Sequence, residues 1–354
     1  MAETECNPGP VSILDAMNEG FRRAVNARPK ELREFRLTLA DQPVKLSVVG
    51  SELASRLVRP FAHLIDDEAA GEEARLRVEV WDRHVAGIGI EVRPESGGVD
   101  PEQRAGFERD GQVTVHRHRG STLCLDRAGA RLVGCFSRAE DLSLFERGRP
   151  FHAPLTLWHN ALDIPIVHAG LVARNGKGVL FAGPAGAGKS TCAVTCILSG
   201  FTYLSDDLIG LQSEKDGGFR GHSVYSSTFL DRDHAGRFPL LAGHAMESRY
   251  DDEEKLLVLL SEVLPARLGR SAPIDVVVLP ELGDGARSTF RPASSATALM
   301  ALAPPSLRVN RSLGARGFDK LGRLVESVPA YHLRLGSDLT GIPPAVEELL
   351  GEVG

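Results

Sequence analysis

The chain has 354 residues, 42% of them hydrophobic and 25% charged, with a formal net charge of −6. That length and composition suffice for a sizeable core and two domains. The negative balance gives no electrostatic footprint for nucleic acid or an anionic membrane, which excludes both as expected partners.

The start, Met1 to Cys6, is acidic and lacks an apolar h-region, so it does not read as a secretory signal. Glu34 to Gly50 reads as two strands joined near Asp41 and Gln42, with Phe35, Leu37 and Leu39 alternating against less apolar neighbours. Ser51 then caps a helical pattern (Leu53, Leu57, Val58) that is predicted to stop before Pro60. Alternation returns at Leu76 to Val80, Ile88 to Val92, Val113 to Val115 and Leu123 to Val133. This half therefore predicts an antiparallel or mixed α+β domain and not a βαβ one. His116-Arg-His-Arg119 would suit an acidic partner, but such a run is more often a solvated strand end. A polar stretch from Arg138 to Pro150 and a helix from Phe151 to Asp163 lead into the second half. The expected division is a smaller α+β domain over 1–150, for substrate or partner binding, and an α/β domain over 151–354.

In that second half Gly178-Val-Leu-Phe-Ala-Gly-Pro-Ala-Gly-Ala-Gly-Lys-Ser-Thr191 is an apolar strand running into G-x-x-x-x-G-K-[ST], with apolar residues at helical spacing behind it (Val194, Ile197, Leu198). Gly183, Gly186 and Gly188 let successive N–H groups point into one concavity of the size and polarity phosphate oxygens need. The expected nucleotide-binding set is Gly183, Ala185, Gly186, Ala187, Gly188, Lys189, Ser190 and Thr191. Lys189 would reach the β/γ-phosphates, Ser190 would offer its hydroxyl to Mg²⁺, and the helix N-terminus would add its dipole. A glycine-rich turn that merely joins strand to helix is the bland alternative. The surrounding strand and helix favour phosphate binding, and ATP is the expected nucleotide.

Ser205-Asp206-Asp207 closes the next apolar stretch. In a parallel α/β unit, loops after neighbouring strands open on one edge of the sheet, so these carboxylates would face the phosphates. One would hold Mg²⁺ while the other takes the proton of an attacking hydroxyl, and a solvated acidic turn is the alternative.

His168-Ala-Gly170, the strand and loop, and Gly200-Phe-Thr-Tyr-Leu-Ser-Asp-Asp207 together resemble the core of the HPr kinase/phosphorylase-like kinases, whose fold is similar to that of phosphoenolpyruvate carboxykinases. The likeness covers His168 to Leu211 well, and extends weakly to the strand Ile274 to Leu279 and the ending Val328 to Leu335. It implies that Asp206 is the general base, that Asp207 joins Ser190 at Mg²⁺, and that His168 tunes Asp206, with the two acids open to exchange. A structural role beside the sheet is the other reading of His168. The Glu-Ile-Arg-Gly signature of bacterial HPr kinases is absent between Gly210 and Tyr250, which argues against HPr itself as substrate.

Among smaller candidates, Asp251-Asp-Glu-Glu254 reads as a surface turn whose neighbour Lys255 would approach the phosphates if the loop folded over. Arg311 and Arg316 would supply charge to a transferring phosphoryl group. Glu281, after Val276 to Pro280, is the alternative metal-linked acid. The runs such as Leu256 to Leu260 are too short to span a bilayer. Five cysteines without C-x-x-C argue against a disulfide framework or zinc site, and Cys192 and Cys196 read as helix packing.

The fold expected is thus an α/β P-loop kinase core of the HPr kinase/phosphoenolpyruvate carboxykinase-like type behind a smaller α+β domain. The function expected is a cytoplasmic ATP- and Mg²⁺-dependent phosphotransferase acting on a hydroxyl of a peptide, protein or small molecule, as a monomer or a homo-oligomer. The alternatives are a P-loop ATPase or switch without an acceptor, and a nucleotide-binding scaffold.

Overall fold

The computed structural model describes residues 12–66, 72–90, 105–110, 113–118, 120–128, 130–247, 255–283 and 285–353. Contacts divide the chain into two units. One comprises Met1–Leu37, Pro43–Val58 and Asp66–Leu142, the other Thr38–Gln42, Arg59–Ile65 and Ser143–Gly354.

The first unit contains α1 (Ile13–Ala27), β1 (Leu32–Leu39), β2 (Gln42–Val49), α2 (Ser51–Val58), β3 (Leu76–Asp82), α3 (Arg83–Ala86), β4 (Ala105–Asp110), β5 (Val113–His118), β6 (Ser121–Asp126) and β7 (Arg131–Phe136). Its sheet runs β1-β2-β3-β7-β6-β5-β4. β3 pairs in parallel with β2 and β7, while β4 to β7 form an antiparallel meander, so the sheet is mixed. Ser12 caps α1 by accepting from the Asp15 amide. Met17, Phe21 and Ala24, at helical spacing, then bury against Trp81, Val115, Cys124 and Val133.

Two expectations change here. Ile88 to Ile90 carries no strand, the Ile88 carbonyl instead accepts from the Trp81 indole N–H at 2.9 Å, and residues 91 and 92 lie outside those described. His116 to His118 are half-buried on β5 between β4 and β6 and are not a solvated strand end. Burial pushes the His116 pKa down to about 4. Arg119 lies outside the described residues.

The second unit contains α4 (Leu144–Gly148), α5 (His152–Ala161), β8 (Ile166–His168), β9 (Gly170–Arg174), β10 (Lys177–Phe181), α6 (Lys189–Leu198), β11 (Thr202–Ser205), β12 (Leu208–Ser213), β13 (Phe219–Ser223), β14 (Ser227–Asp231), α7 (Pro239–Ala242), β15 (Lys255–Leu259), α8 (Leu260–Val263), β16 (Ser271–Pro273), β17 (Val276–Leu282), β18 (Thr289–Ala293), α9 (Ser295–Val309), α10 (Gly314–Ser327), β19 (Ala330–Leu335) and α11 (Ile342–Glu352). Among the described residues its sheets are β11-β9-β10-β17-β19-β18, β16-β13-β12-β8 and the hairpin β14-β15.

The period-2 rule explains why the six-stranded sheet sits in the middle. Val179, Phe181, Val276 and Val278 point to one face, against Cys192, Cys196 and Ile197 of α6 and Val346 and Leu349 of α11. Leu180, Val277 and Leu279 point to the other, against Ile209 and Leu211 of β12 and Leu302, Leu321 and Leu324 of α9 and α10. The architecture is mixed α/β with several sheets. The expected parallel neighbours β10 and β11 are not adjacent: β9 lies between them, antiparallel to both. Two reversals leave β10 and β11 running the same way, so their C-terminal ends still open on one sheet edge. No helix of the described residues is long and apolar enough to cross a membrane.

Candidate active site

β10 ends at Phe181, and the loop that follows bends through three glycines with positive φ: Gly183 at 152°, Gly186 at 78° and Gly188 at 100°. A side chain is disfavoured in that region, so the sequence spends glycine where the loop must fold tightly. Gly188 is also pressed against the core, since a Cβ there would lie 2.5 Å from Leu335 Cδ1. Pro184, Ala185 and Gly186 are exposed, Ala187 is half-buried, and α6 starts at Lys189 with Gly188 as its N-cap. Lys189 folds back into the loop, donating to the Gly183 and Pro184 carbonyls at 2.9 Å each, and is 6% exposed. Burial lowers its pKa, an effect opposed by Asp207 and Asp206. Thr191, the next residue along α6 from Ser190, is half-buried, and its carbonyl accepts from the Thr195 hydroxyl at 2.6 Å.

β11 delivers the acids. Ser205 Oγ accepts from the Asp207 and Leu208 amides at 3.0 and 2.9 Å, a side-chain turn that fixes the backbone around the pair. Asp206 points inward, 2% exposed, and accepts from Tyr203 Oη at 2.8 Å and Thr228 Oγ1 at 2.9 Å, with the Ser190 side chain near enough to favour its charged form. Burial raises its pKa, and the Asp207 charge adds to the rise. Asp207 meets cations instead. Arg149 Nη2 lies 2.6 Å from Asp207 Oδ2, and His168 Nδ1 lies 2.8 Å from Oδ1, a short contact poorly aligned for a hydrogen bond. Burial works against the Asp207 charge, but Arg149, then His168 and Lys189, outweigh it and hold the carboxyl well below the usual range.

His168 reaches Asp207 because β8 pairs antiparallel with β12, placing His168 opposite Leu208, the next residue after Asp207. The Ala169 amide also donates to the Asp207 carbonyl at 2.9 Å, and Ser306 Oγ accepts from the His168 amide at 3.1 Å. This is a correction. His168 stands by Asp207 and not by Asp206, while the Ser190 side chain acts on the charge of Asp206.

The loop, both acids and His168 are thus drawn together. Glu281, at the end of β17, is turned the other way, to His332 on β19 and to Arg291 on β18 at 3.6 Å. Arg311 and Arg316 are exposed before and within α10. Lys255 is exposed at the start of β15, close enough to Lys189 to lower its pKa, and Asp251 to Glu254 lie outside the described residues. Among the described residues, three or more His, Cys, Asp or Glu side chains are nowhere grouped to hold a metal ion, and Cys124, Cys135, Cys192 and Cys196 are free.

Sequence reasoning missed Arg149. It lies in the polar stretch before α5, and no motif marks it. Its guanidinium sits over the Phe229 ring, 4.7 Å from the centroid, and 5.7 Å from that of Phe145. Of the two hydroxyls on Asp206, Thr228 was missed for the same reason, and Tyr203, inside the stretch Gly200 to Asp207, was given no role.

Comparison with known proteins matches residues 157–237 to the family model described as SynChlorMet cassette protein ScmC. No curated protein matches the chain. Among solved structures, the chain is similar to the Hpr(Ser) kinase/phosphatase from Coxiella burnetii, at 13% identity and a TM-score of 0.28, over 53% of this chain and 94% of that one.

Proposed function

We propose that the second unit is an ATP-dependent kinase that phosphorylates a hydroxyl of a peptide, protein or small molecule. The observation that carries this reading is the meeting, at one sheet edge, of the glycine-bent loop ending in Lys189 and Ser190 with one buried and one half-buried carboxylate in unlike environments. The loop suits phosphates by its backbone amides and its cation. The donor set also suits magnesium, which takes oxygen ligands from one or two protein groups and fills its shell with water and phosphate. Ser190 and Asp206 are the residues proposed to hold it, and its chemistry there would be to neutralise charge on the transferring phosphoryl group.

The roles follow the partners. Asp206, raised in pKa and beside Ser190, is the metal-linked acid. Asp207, kept ionised by Arg149 and with His168 alongside, orients the acceptor hydroxyl and receives its proton. A base of such low pKa acts more by positioning than by strength, which suits a loose phosphoryl transfer with little bond formation to drive.

The test is γ-labelled ATP incubated with the protein, with and without cell extract. Label on an acceptor is the expected result. Free phosphate alone would mean an ATPase or switch, and unchanged ATP a scaffold.

A further inference from the structure

The segment Arg59–Ile65 comes from the N-terminal half yet packs as part of the second unit. It follows α2 directly as a short 3₁₀ turn with Pro60, Phe61 and Leu64 buried. Its ends are fastened: Arg59 Nη2 pairs with Glu262 at 2.6 Å, Ser261 Oγ donates to the Arg59 carbonyl at 3.2 Å, and Arg270 Nη2 donates to the Ile65 carbonyl at 2.9 Å.

Three contacts lead from this strap to the acids. His63 Nε2 is 2.7 Å from Ser223 Oγ, which itself donates to the Leu204 carbonyl at 2.7 Å. Ser223 spends its single proton there, so His63 is the donor, and Leu204, on β11, stands two residues before Asp206, which follows the strand's last residue. The Phe61 ring packs on the Tyr225 ring, 5.3 Å between centroids, and Tyr225 Oη donates to the carbonyl of Pro150, the neighbour of Arg149. The Pro60 carbonyl accepts from the Ser226 amide at 2.8 Å and from Ser226 Oγ at 3.1 Å. Two residues on, Thr228 holds Asp206, and between them Ser227 Oγ donates to the Gly148 carbonyl at 2.7 Å, on the other side of Arg149.

We infer that the strap Arg59–Ile65 is a positioning element for the acid pair, with His63, Phe61 and Pro60 acting through Ser223, Tyr225 and Ser226 on Asp206, Asp207 and Arg149. The inference rests on the reading of those acids as the reacting groups. Close-packed relays of this kind transmit small displacements, and a shift of about 1 Å in a reacting group costs up to about 10²-fold in rate.

The test uses the full-length protein. His63→Leu keeps bulk but removes the donor, and His63→Gln returns an amide N–H near the Nε2 position. His63→Leu is expected to lower kcat about tenfold or more while KM for ATP stays within about twofold, and His63→Gln to recover most of the loss. Wild-type kcat in His63→Leu, or equal loss in both variants, overturns the proposal. Hydrogen exchange of the Asp207 and Leu208 amides gives a reading independent of activity: both should exchange faster in His63→Leu than in wild type or His63→Gln, and unchanged exchange overturns it. Phe61→Leu takes the place of His63→Leu if the latter does not fold. Should the wild-type protein transfer no phosphoryl group, the kinase reading fails and the exchange measurement alone decides the strap.

Discussion

Burial alone would push both Asp206 and Asp207 toward the protonated form, and their different partners pull them apart. Asp207 has the guanidinium of Arg149 at 2.6 Å, whereas Asp206 accepts from the neutral hydroxyls of Tyr203 and Thr228. If the roles follow, Asp207→Asn should keep Mg·ATP binding and lose about 10²–10⁴-fold in transfer, while Asp206→Asn should lose metal-dependent binding too. Calorimetry beside a turnover assay separates the two, and the opposite pattern would return the base to Asp206. Arg149 carries its own prediction. Removing one partner of a half-buried pair strands the other charge, so Arg149→Gln should cost up to about 3 kcal/mol in urea unfolding. The double variant Arg149→Gln/Asp207→Asn should regain most of that, and no recovery would show that pairing with Asp207 is not the cause.

The decisive element is the turn from β10 into α6, where conformation and packing coincide at one residue. Gly188 combines φ of 100° with a Cβ position 2.5 Å from Leu335 Cδ1. Gly176, in the β9–β10 turn, has φ of 81° and open space around it. Gly188→Ala should therefore cost more than Gly176→Ala, about 3 kcal/mol against about 1 kcal/mol, because only the former adds a clash to backbone strain. Thermal unfolding of the two variants checks this, and equal costs would mean that the core yields at Leu335. Lys189→Ala tests the same element by function. Its ammonium satisfies two loop carbonyls and little else, so the variant should stay folded by circular dichroism and lose ATP-dependent transfer. Unchanged turnover would remove the phosphate-binding reading of the loop.

Across the whole molecule, buried histidines make stability depend on acid. His159 is 0% exposed, and burial lowers its pKa from 6.5 to about 4. The folded state keeps it neutral while the unfolded chain takes up a proton below 6.5, so stability is full above that value and falls as the pH drops toward 4. For a fully buried group the loss approaches about 3 kcal/mol. His63 and His116, also lowered to about 4, act in the same direction. His159→Leu should lose less stability than wild type between pH 7 and pH 5 in a melting series. An equally steep decline would clear His159 as a contributor.

Local chemistry in the sequence determined the elements around the site. Alternating Val179 to Ala182 made a strand buried on both faces, the glycines made the bend, and the apolar spacing of Val194 and Ile197 made the helix, with Leu198 left exposed. These depend on neighbours within a few residues, as do the paired strands between Glu34 and Gly50. Helix α1, in contrast, lies where the sequence reading set no element, although Ser12, Met17, Phe21 and Ala24 carry its cap and stripe. Only the tertiary structure decided which groups meet. The insertion of β9 between β10 and β11, the antiparallel pairing that sets His168 beside Asp207, the arrival of Arg149 from a polar stretch and the return of Arg59–Ile65 to the second unit all join segments far apart in the chain. Burial and cross-strand partners, which set the state of each acid, belong to those meetings and to no single stretch of sequence.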